Sequence, residues 1–298
     1  MKTYQFYSKN SQKSVIALGF FDAVHVGHQK VLKTCTHLAQ KLNAQSTVFT
    51  FMDNLSAVGK DGKLLTTFDE RITMFEDIGI QATLTAPCNN QFFSLSPISF
   101  LDKLKDDFNA IGIVCGEDFT FGAGGVGNVE FLKAYCKNND ICLEIVDVLK
   151  IDGKKIGARD VKTLILEGRV SVANQLLGYN YSLKGFVVKG RGDGKKFVVP
   201  TINVNYPLDK VIPKNGVYVT RVTIGKDSYL GITNVGAHPT FLDEATNIET
   251  YLIDVDFNFY DKEVKIEFLE YVRDIVKFDT SEELRLQIQK DVEVARRL

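Results

Sequence analysis

VIALGFFDAVHVGH, residues 15–28, decides how the first half of this chain is read. Residues 15–21 form a continuous apolar run of the kind that makes a strand buried on both faces. Val31, Leu32, Cys35, Leu38, Ala39 and Leu42 then recur at helical spacing. Where a buried strand passes into a helix, free backbone N–H groups and the positive end of the helix dipole meet, and an anion is the natural occupant. His25 and His28, three residues apart at that junction, reach one phosphate from one face. Imidazole suits this work because it donates a hydrogen bond when neutral and becomes cationic near neutral pH. Gly27 lets a ligand approach the backbone closely. A bare pair of histidines at this spacing is more often packing or surface; the strand-to-helix setting makes this one informative.

Outward from this stretch the alternation continues. Residues 46–51, 110–116 and 141–148 are further apolar strands. Thr67 with Glu70 forms a capping box for a helix through Ile78, Ser96-Pro97 opens another through Phe108, and residues 129–137 form a third. Such alternation predicts a parallel sheet covered on both faces, with ligands at the carboxyl ends of its strands. After about Tyr179 the pattern changes. Strand-like runs arrive in close succession at 183–190, 216–225, 228–236, 249–257 and 264–272, which predicts a small antiparallel barrel. A last helix begins at the Thr280/Glu283 capping box and carries Leu284, Ile288, Val292 and Ala295 on one face, to pack on the barrel. The boundary is expected between residues 1–179 and 180–298.

Composition narrows the function classes. Hydrophobic residues make up 45% of the 298 and charged residues 24%, values of a folded globular chain with neither a membrane span nor disorder. Lysine plus arginine (36) nearly equals aspartate plus glutamate (37), so no overall field advertises nucleic acid, and any anion site must be local. The polar start lacks the apolar core of a secretory signal, and a cytoplasmic location is the expectation. The five cysteines are odd in number and form no CxxC pair, which reads as reduced packing residues without a metal site.

Two motif sets carry family resemblances. GFFDAVHVGH (19–28) resembles the HxGH motif of the nucleotidyltransferase superfamily in its flavin-adenylating form. GEDFTFG (116–122), followed by Gly124, Gly125 and Gly127, is similar to that branch's second signature. The resemblance runs from about Val15 to Gly178 and implies Mg²⁺-assisted condensation of ATP with FMN to give FAD and pyrophosphate. It implies ATP phosphates on His25 and His28, with Gly27 beside them and Asp118 near the nucleotide. Departures accompany it. Where the family carries an Ile-Ser-Ser-Thr-x-Ile-Arg signature, this chain has Ile156-Gly157-Ala158-Arg159-Asp160-Val161-Lys162, so hydroxyl donors are replaced and Arg159 and Lys162 are left to supply positive charge. Met52-Asp53-Asn54-Leu55 stands in place of a turn containing proline and histidine, and Ala23 in place of a usual glycine.

In the second half, Pro200-Thr201-Ile202-Asn203 looks like the PTxN motif of riboflavin kinases, and the likeness extends through Asn215-Gly216-Val217-Tyr218, residues 231–236, Glu249 and Tyr260. The basic glycine loop before it, with Gly190, Gly194 and Lys195, is suited to folding over phosphates but is not a Walker loop. The resemblance implies Thr201 and Asn203 as oxygen ligands of Mg²⁺ bound to ATP, Glu249 as the base for the riboflavin 5′-hydroxyl, and Arg273 on the flavin side. The fold implied is an α/β nucleotidyltransferase domain with a Rossmann-like parallel sheet, followed by an all-β riboflavin kinase barrel with a C-terminal helix. Three readings stand at this point: an enzyme making FMN and then FAD from small-molecule substrates, a kinase alone, or a flavin-binding sensor without turnover. The intact Thr201, Asn203 and Glu249 speak against the sensor, and the missing hydroxyls speak for the kinase alone.

Overall fold

In a computed structural model the described residues are 1–52, 62–148, 150–151, 154–188, 201–237, 246–255 and 259–298. They divide into two units, Met1–Ala158 and Arg159–Leu298.

In the first unit, β1 (Lys2–Gln5), β2 (Ser14–Leu18), β3 (Gln45–Phe51), β4 (Ala82–Ala86), β5 (Ala110–Gly116) and β6 (Cys142–Val146) form one sheet in the order β1-β4-β3-β2-β5-β6. Every neighbouring pair is parallel. The helices are α1 (Val26–Lys41), α2 (Phe68–Ile78), a short α3 (Asn90–Phe93), α4 (Pro97–Phe108) and α5 (Val129–Asn138). The expected capping box of α2 and the Ser96-Pro97 start of α4 are both formed. Phe49, Leu84, Phe100, Leu104 and Ile113 build the core on one sheet face, and Val15, Val31, Leu32, Leu38, Val48 and Phe75 build it on the other. The chain runs outward through β3 and β4 and then crosses back beyond β2 to β5. The direction of winding therefore reverses between β2 and β5, where an open parallel sheet leaves a crevice at its carboxyl edge. Sequence periodicity overlooked β1 and β4, and also a small hairpin of β7 (Lys150–Ile151) and β8 (Lys154–Lys155).

The second unit opens with α6 (Ala158–Leu166, shared across the division) and α7 (Val170–Leu177). Asn174 on α7 donates to the Phe268 carbonyl at 2.8 Å and accepts from the Tyr181 amide at 2.8 Å. The barrel strands are β9 (Ser182–Val188), β10 (Thr201–Asn205), β11 (Gly216–Ile224), β12 (Asp227–Ala237), β13 (Thr246–Leu252) and β14 (Glu263–Arg273), closed in the order β10-β13-β12-β11-β14-β9. Strand β10, which contains Thr201 and Asn203, is the member that the runs of apolar residues did not announce. Closure is tight at Gly185, where a Cβ would lie 1.8 Å from the Asn205 carbonyl oxygen. The interior holds Tyr218, Ile266 and Phe268 together with a chain of hydroxyls from Thr220 through Thr233 to Thr250, each link 2.8 Å. Helix α8 (Ser281–Ala295), with its capping box formed, packs Val292 and Ala295 against Val217, Val219 and Ile232 on the outer wall.

Candidate functional sites in the two units

At the carboxyl edge of the first sheet the chain leaves β2 through Phe21, Ala23 and Val24, all at positive φ (58°, 69° and 38°). The glycine usual at position 23 is explained by this, since an L side chain there costs roughly 1–2 kcal/mol. Asp22 holds the turn. Its carboxylate accepts from the amides of Ala23, Leu65 and Thr66 and from the Thr66 hydroxyl, at 2.9–3.1 Å for Oδ1. The turn ends on His25, the N-cap of α1, whose Nδ1 accepts from the amides of Gly27 (3.1 Å) and His28 (3.3 Å). With Nδ1 an acceptor, the proton of neutral His25 sits on Nε2. The His28 ring stacks on His25 at 3.7 Å. Burial, and secondarily the proximity of His25, hold the His28 imidazole well below its ordinary pKa, and its Nδ1 is buried without a hydrogen-bond partner.

Beside this pair lies a cavity of about 440 Å³ between the ends of β2 and β5, lined by His28, Gly19, Gly116, Asp118 and a group of phenylalanines that includes Phe20, Phe51, Phe93 and Phe119. Its walls are aromatic and its polar groups few, the character of a site for a small molecule with an apolar body. Asp118 is paired with Lys155 on β8, a residue that sequence reading did not single out. Glu117 accepts from the Val148 amide at 3.3 Å, and Lys150 is 3.8 Å from it. Arg159 and Lys162 lie on α6 in the second unit, Arg159 exposed and Lys162 half-buried.

In the barrel unit, strand alternation turns Thr201 and Asn203 to the same face. Asn203 stands directly opposite Glu249 on β13, and Glu249 is opposite Asn234 on β12. The Thr201 hydroxyl donates to the Glu249 carboxylate at 2.5 Å. Thr201, Asn234, Glu249 and Tyr251 line a cavity of about 410 Å³ on the outer wall of the barrel, roofed by Phe278 and by Leu284 and Ile288 of α8. The apolar face of α8 is thus divided between core packing and cavity lining. Arg273 also lines the cavity and makes an ion pair. Its Nε and Nη2 meet the carboxylate of Asp291, which is 1% exposed, at 2.8–3.2 Å. Asp291 was legible in principle, because it stands three residues beyond Ile288 on the buried side of α8. Gly190, Gly194 and Lys195 lie outside the described residues. Among the described residues no cluster of three or more histidine, cysteine or acidic side chains is arranged to hold a metal, and no helix is long and apolar enough to cross a membrane.

Residues 7–160 match the FAD synthetase family and residues 177–298 the riboflavin kinase family. The chain is 34% identical over 290 residues to a bifunctional riboflavin kinase/FMN adenylyltransferase of Bacillus subtilis, covering 95% of this chain and 92% of that protein. To the protein of the same description from Listeria monocytogenes it is 33% identical over 282 residues, covering 93% and 90%. A crystal structure from Streptococcus pneumoniae, described as a macrolide-efflux protein, matches all of both chains with a TM-score of 0.92 at 28% identity. With both halves matched in order and the whole length shared with such relatives, the chain belongs to the family of bifunctional riboflavin kinase/FMN adenylyltransferases.

Proposed function

We propose that the chain phosphorylates riboflavin to FMN in its barrel unit and adenylates FMN to FAD in its first unit, with the functional boundary at residues 179/180. The observation that carries the reading is the Thr201–Glu249 pair on the wall of the barrel cavity. Glu249 accepts the proton of the riboflavin 5′-hydroxyl as the γ-phosphoryl group of ATP is transferred, and the Thr201 hydroxyl orients its carboxylate. Arg273, fixed by Asp291, bounds the flavin side. The Thr201 hydroxyl and Asn203 carbonyl are hard oxygen donors on one strand face, and they fit a Mg²⁺ that takes its remaining ligands from phosphates and water. Bound there, the ion neutralises phosphate charge. Gly190, Gly194 and Lys195 are assigned to the same nucleotide by sequence.

In the first unit the FMN phosphate is already ionised and attacks the α-phosphate of ATP in line, expelling pyrophosphate, so the protein supplies position and charge stabilisation. His25 donates through Nε2, its Nδ1 being held by the Gly27 and His28 amides, and the phenylalanine-lined cavity takes the flavin ring. Gly27, His28 and Asp118 complete the proposed phosphate and nucleotide contacts of the first unit, and Arg159 and Lys162 are assigned to the same nucleotide by sequence alone. Relatives with both activities over the full length favour this reading over a kinase alone or a sensor. A cytoplasmic location, where ATP is supplied, goes with this reading.

The test uses purified protein with ATP and Mg²⁺, given riboflavin in one tube and FMN in another, with products resolved by chromatography. FMN from the first and FAD from the second are expected. FMN without FAD would leave the kinase alone, and tight flavin binding without product would leave the sensor.

A further inference from the structure

Arg71 has no part in the chemistry just described, yet it is the largest fully buried side chain of the protein, at 0% exposure. It projects from α2 into the carboxyl edge of the sheet. Its Nη1 donates to the Phe20 carbonyl (2.9 Å) and to the Thr50 hydroxyl (2.9 Å), and its Nη2 donates to the Phe51 carbonyl (3.0 Å). The Thr50 hydroxyl itself donates to the Phe20 carbonyl at 2.8 Å. The guanidinium carbon lies 4.7 Å from the centre of the Phe20 ring, a wall of the aromatic cavity. No carboxylate makes an ion pair with Arg71 among the described residues, and its Nε is buried without a hydrogen-bond partner.

Burying a guanidinium without a hydrogen-bonded ion pair is costly, a cost the nearby Asp22 carboxylate only partly offsets, and the hold on Phe20 and β3 must be weighed against a hydrophobic residue that would fill the space. Two features make the cation useful at this place. The Phe51 carbonyl ends β3 and the Phe20 carbonyl lies two residues beyond the end of β2, where their negative partial charge opposes any anion bound at that edge, and Arg71 occupies both. Phe20 also enters the turn in which Phe21, Ala23 and Val24 hold positive φ, and such a turn persists only where surrounding contacts over-determine it. Asp22 clamps that turn to Leu65 and Thr66, while Arg71, from the helix that follows those residues, clamps it from behind through Phe20.

We propose that Arg71 is a positioning residue for the nucleotidyl-transfer site: it fixes the turn that delivers His25 and His28 and neutralises the Phe20 and Phe51 carbonyls at that edge of the sheet. The inference rests on the adenylylation reading. The guanidinium stays charged at neutral pH, since burial lowers its pKa only to about 10.

The full-length wild type, Arg71→Gln and Arg71→Lys are to be compared for FAD formation from FMN and ATP, for FMN formation from riboflavin in the same preparations, and for thermal unfolding. Arg71→Gln keeps a donor but removes the charge. It is expected to lower kcat/KM for FAD formation by about 10²-fold, the scale of a misplacement near 1 Å, with FMN formation intact as a control for folding. Arg71→Lys, retaining charge and donors, should recover at least ~tenfold of that loss. FAD kinetics of Arg71→Gln within ~threefold of the wild type would overturn the proposal. So would equal losses in both variants with a lowered unfolding temperature, which mark a merely structural role. A wild type that forms no FAD would remove the underlying reading and the proposal together.

Discussion

Replacing Asp291 by alanine tests whether the ion pair at the barrel cavity both holds α8 to the barrel and shapes the site. The carboxylate accepts three hydrogen bonds from Arg273 and one from Gln287 at 2.9 Å. Its removal leaves Arg273 with the Asp274 carbonyl at 3.2 Å as its remaining hydrogen-bond acceptor. Breaking a buried pair by deleting one partner costs about 3–5 kcal/mol. The Arg273 side chain is 20% exposed, so water recovers part of the loss and the low end applies, about 3 kcal/mol. For a unit of this size each kcal/mol moves the midpoint by roughly 2–4 °C, giving a fall of roughly 6–12 °C. The double variant Arg273→Met/Asp291→Leu removes both charges and should recover most of that stability. Its KM for riboflavin should nevertheless stay raised, because the cavity has lost its polar side. Differential scanning calorimetry and steady-state FMN formation read the two effects separately. A midpoint for Asp291→Ala within ~2 °C of the wild type would refute the reasoning.

Three other outcomes follow from the geometry. Glu249→Gln should lower FMN formation by at least ~10²-fold while FAD formation from FMN continues, and a retained rate would remove Glu249 as the base. Because the folded-state pKa of His28 lies well below 6.5, the unfolded chain binds a proton below pH 6.5 that the folded chain does not. Its stabilising contribution is therefore complete above pH 6.5 and declines as the pH falls, by up to about 1.4 kcal/mol per pH unit, until the folded pKa is reached. His28→Asn should flatten this slope in denaturant titrations between about pH 5 and 6.5, and an unchanged slope would assign the dependence elsewhere. Gly185→Ala places a methyl against the Asn205 backbone, which cannot move without opening the pairing of β9 with β10. A loss of about 3 kcal/mol or more is expected, and normal thermal stability would show that the barrel closes differently.

Much of the site was legible because its residues act through local sequence. His25 caps the helix it begins, a contact spanning two or three residues, so the motif alone announces it. The capping boxes of α2 and α8 were equally local. Glu249 and Thr201 are 48 residues apart, and their nomination from sequence came through motif resemblance, since no spacing predicts a contact across β10 and β13. Lys155, Asp291 and Arg71 escaped notice for the same reason. Each looks like an ordinary solvated charge until the chain is folded, and helical spacing gave only the hint that Arg71 and Asp291 fall on buried faces.

VIALGFFDAVHVGH by itself determined a buried strand, a helix start and two histidines at their junction, because apolar run length and residue spacing are properties of a short segment. Only the tertiary structure decided what surrounds them: three residues at positive φ, an aspartate and a buried arginine clamping the turn, and a cavity walled by phenylalanines from separate strands and loops. Those depend on which segments meet across the sheet, and burial, desolvation and long-range hydrogen bonding exist only once they have met.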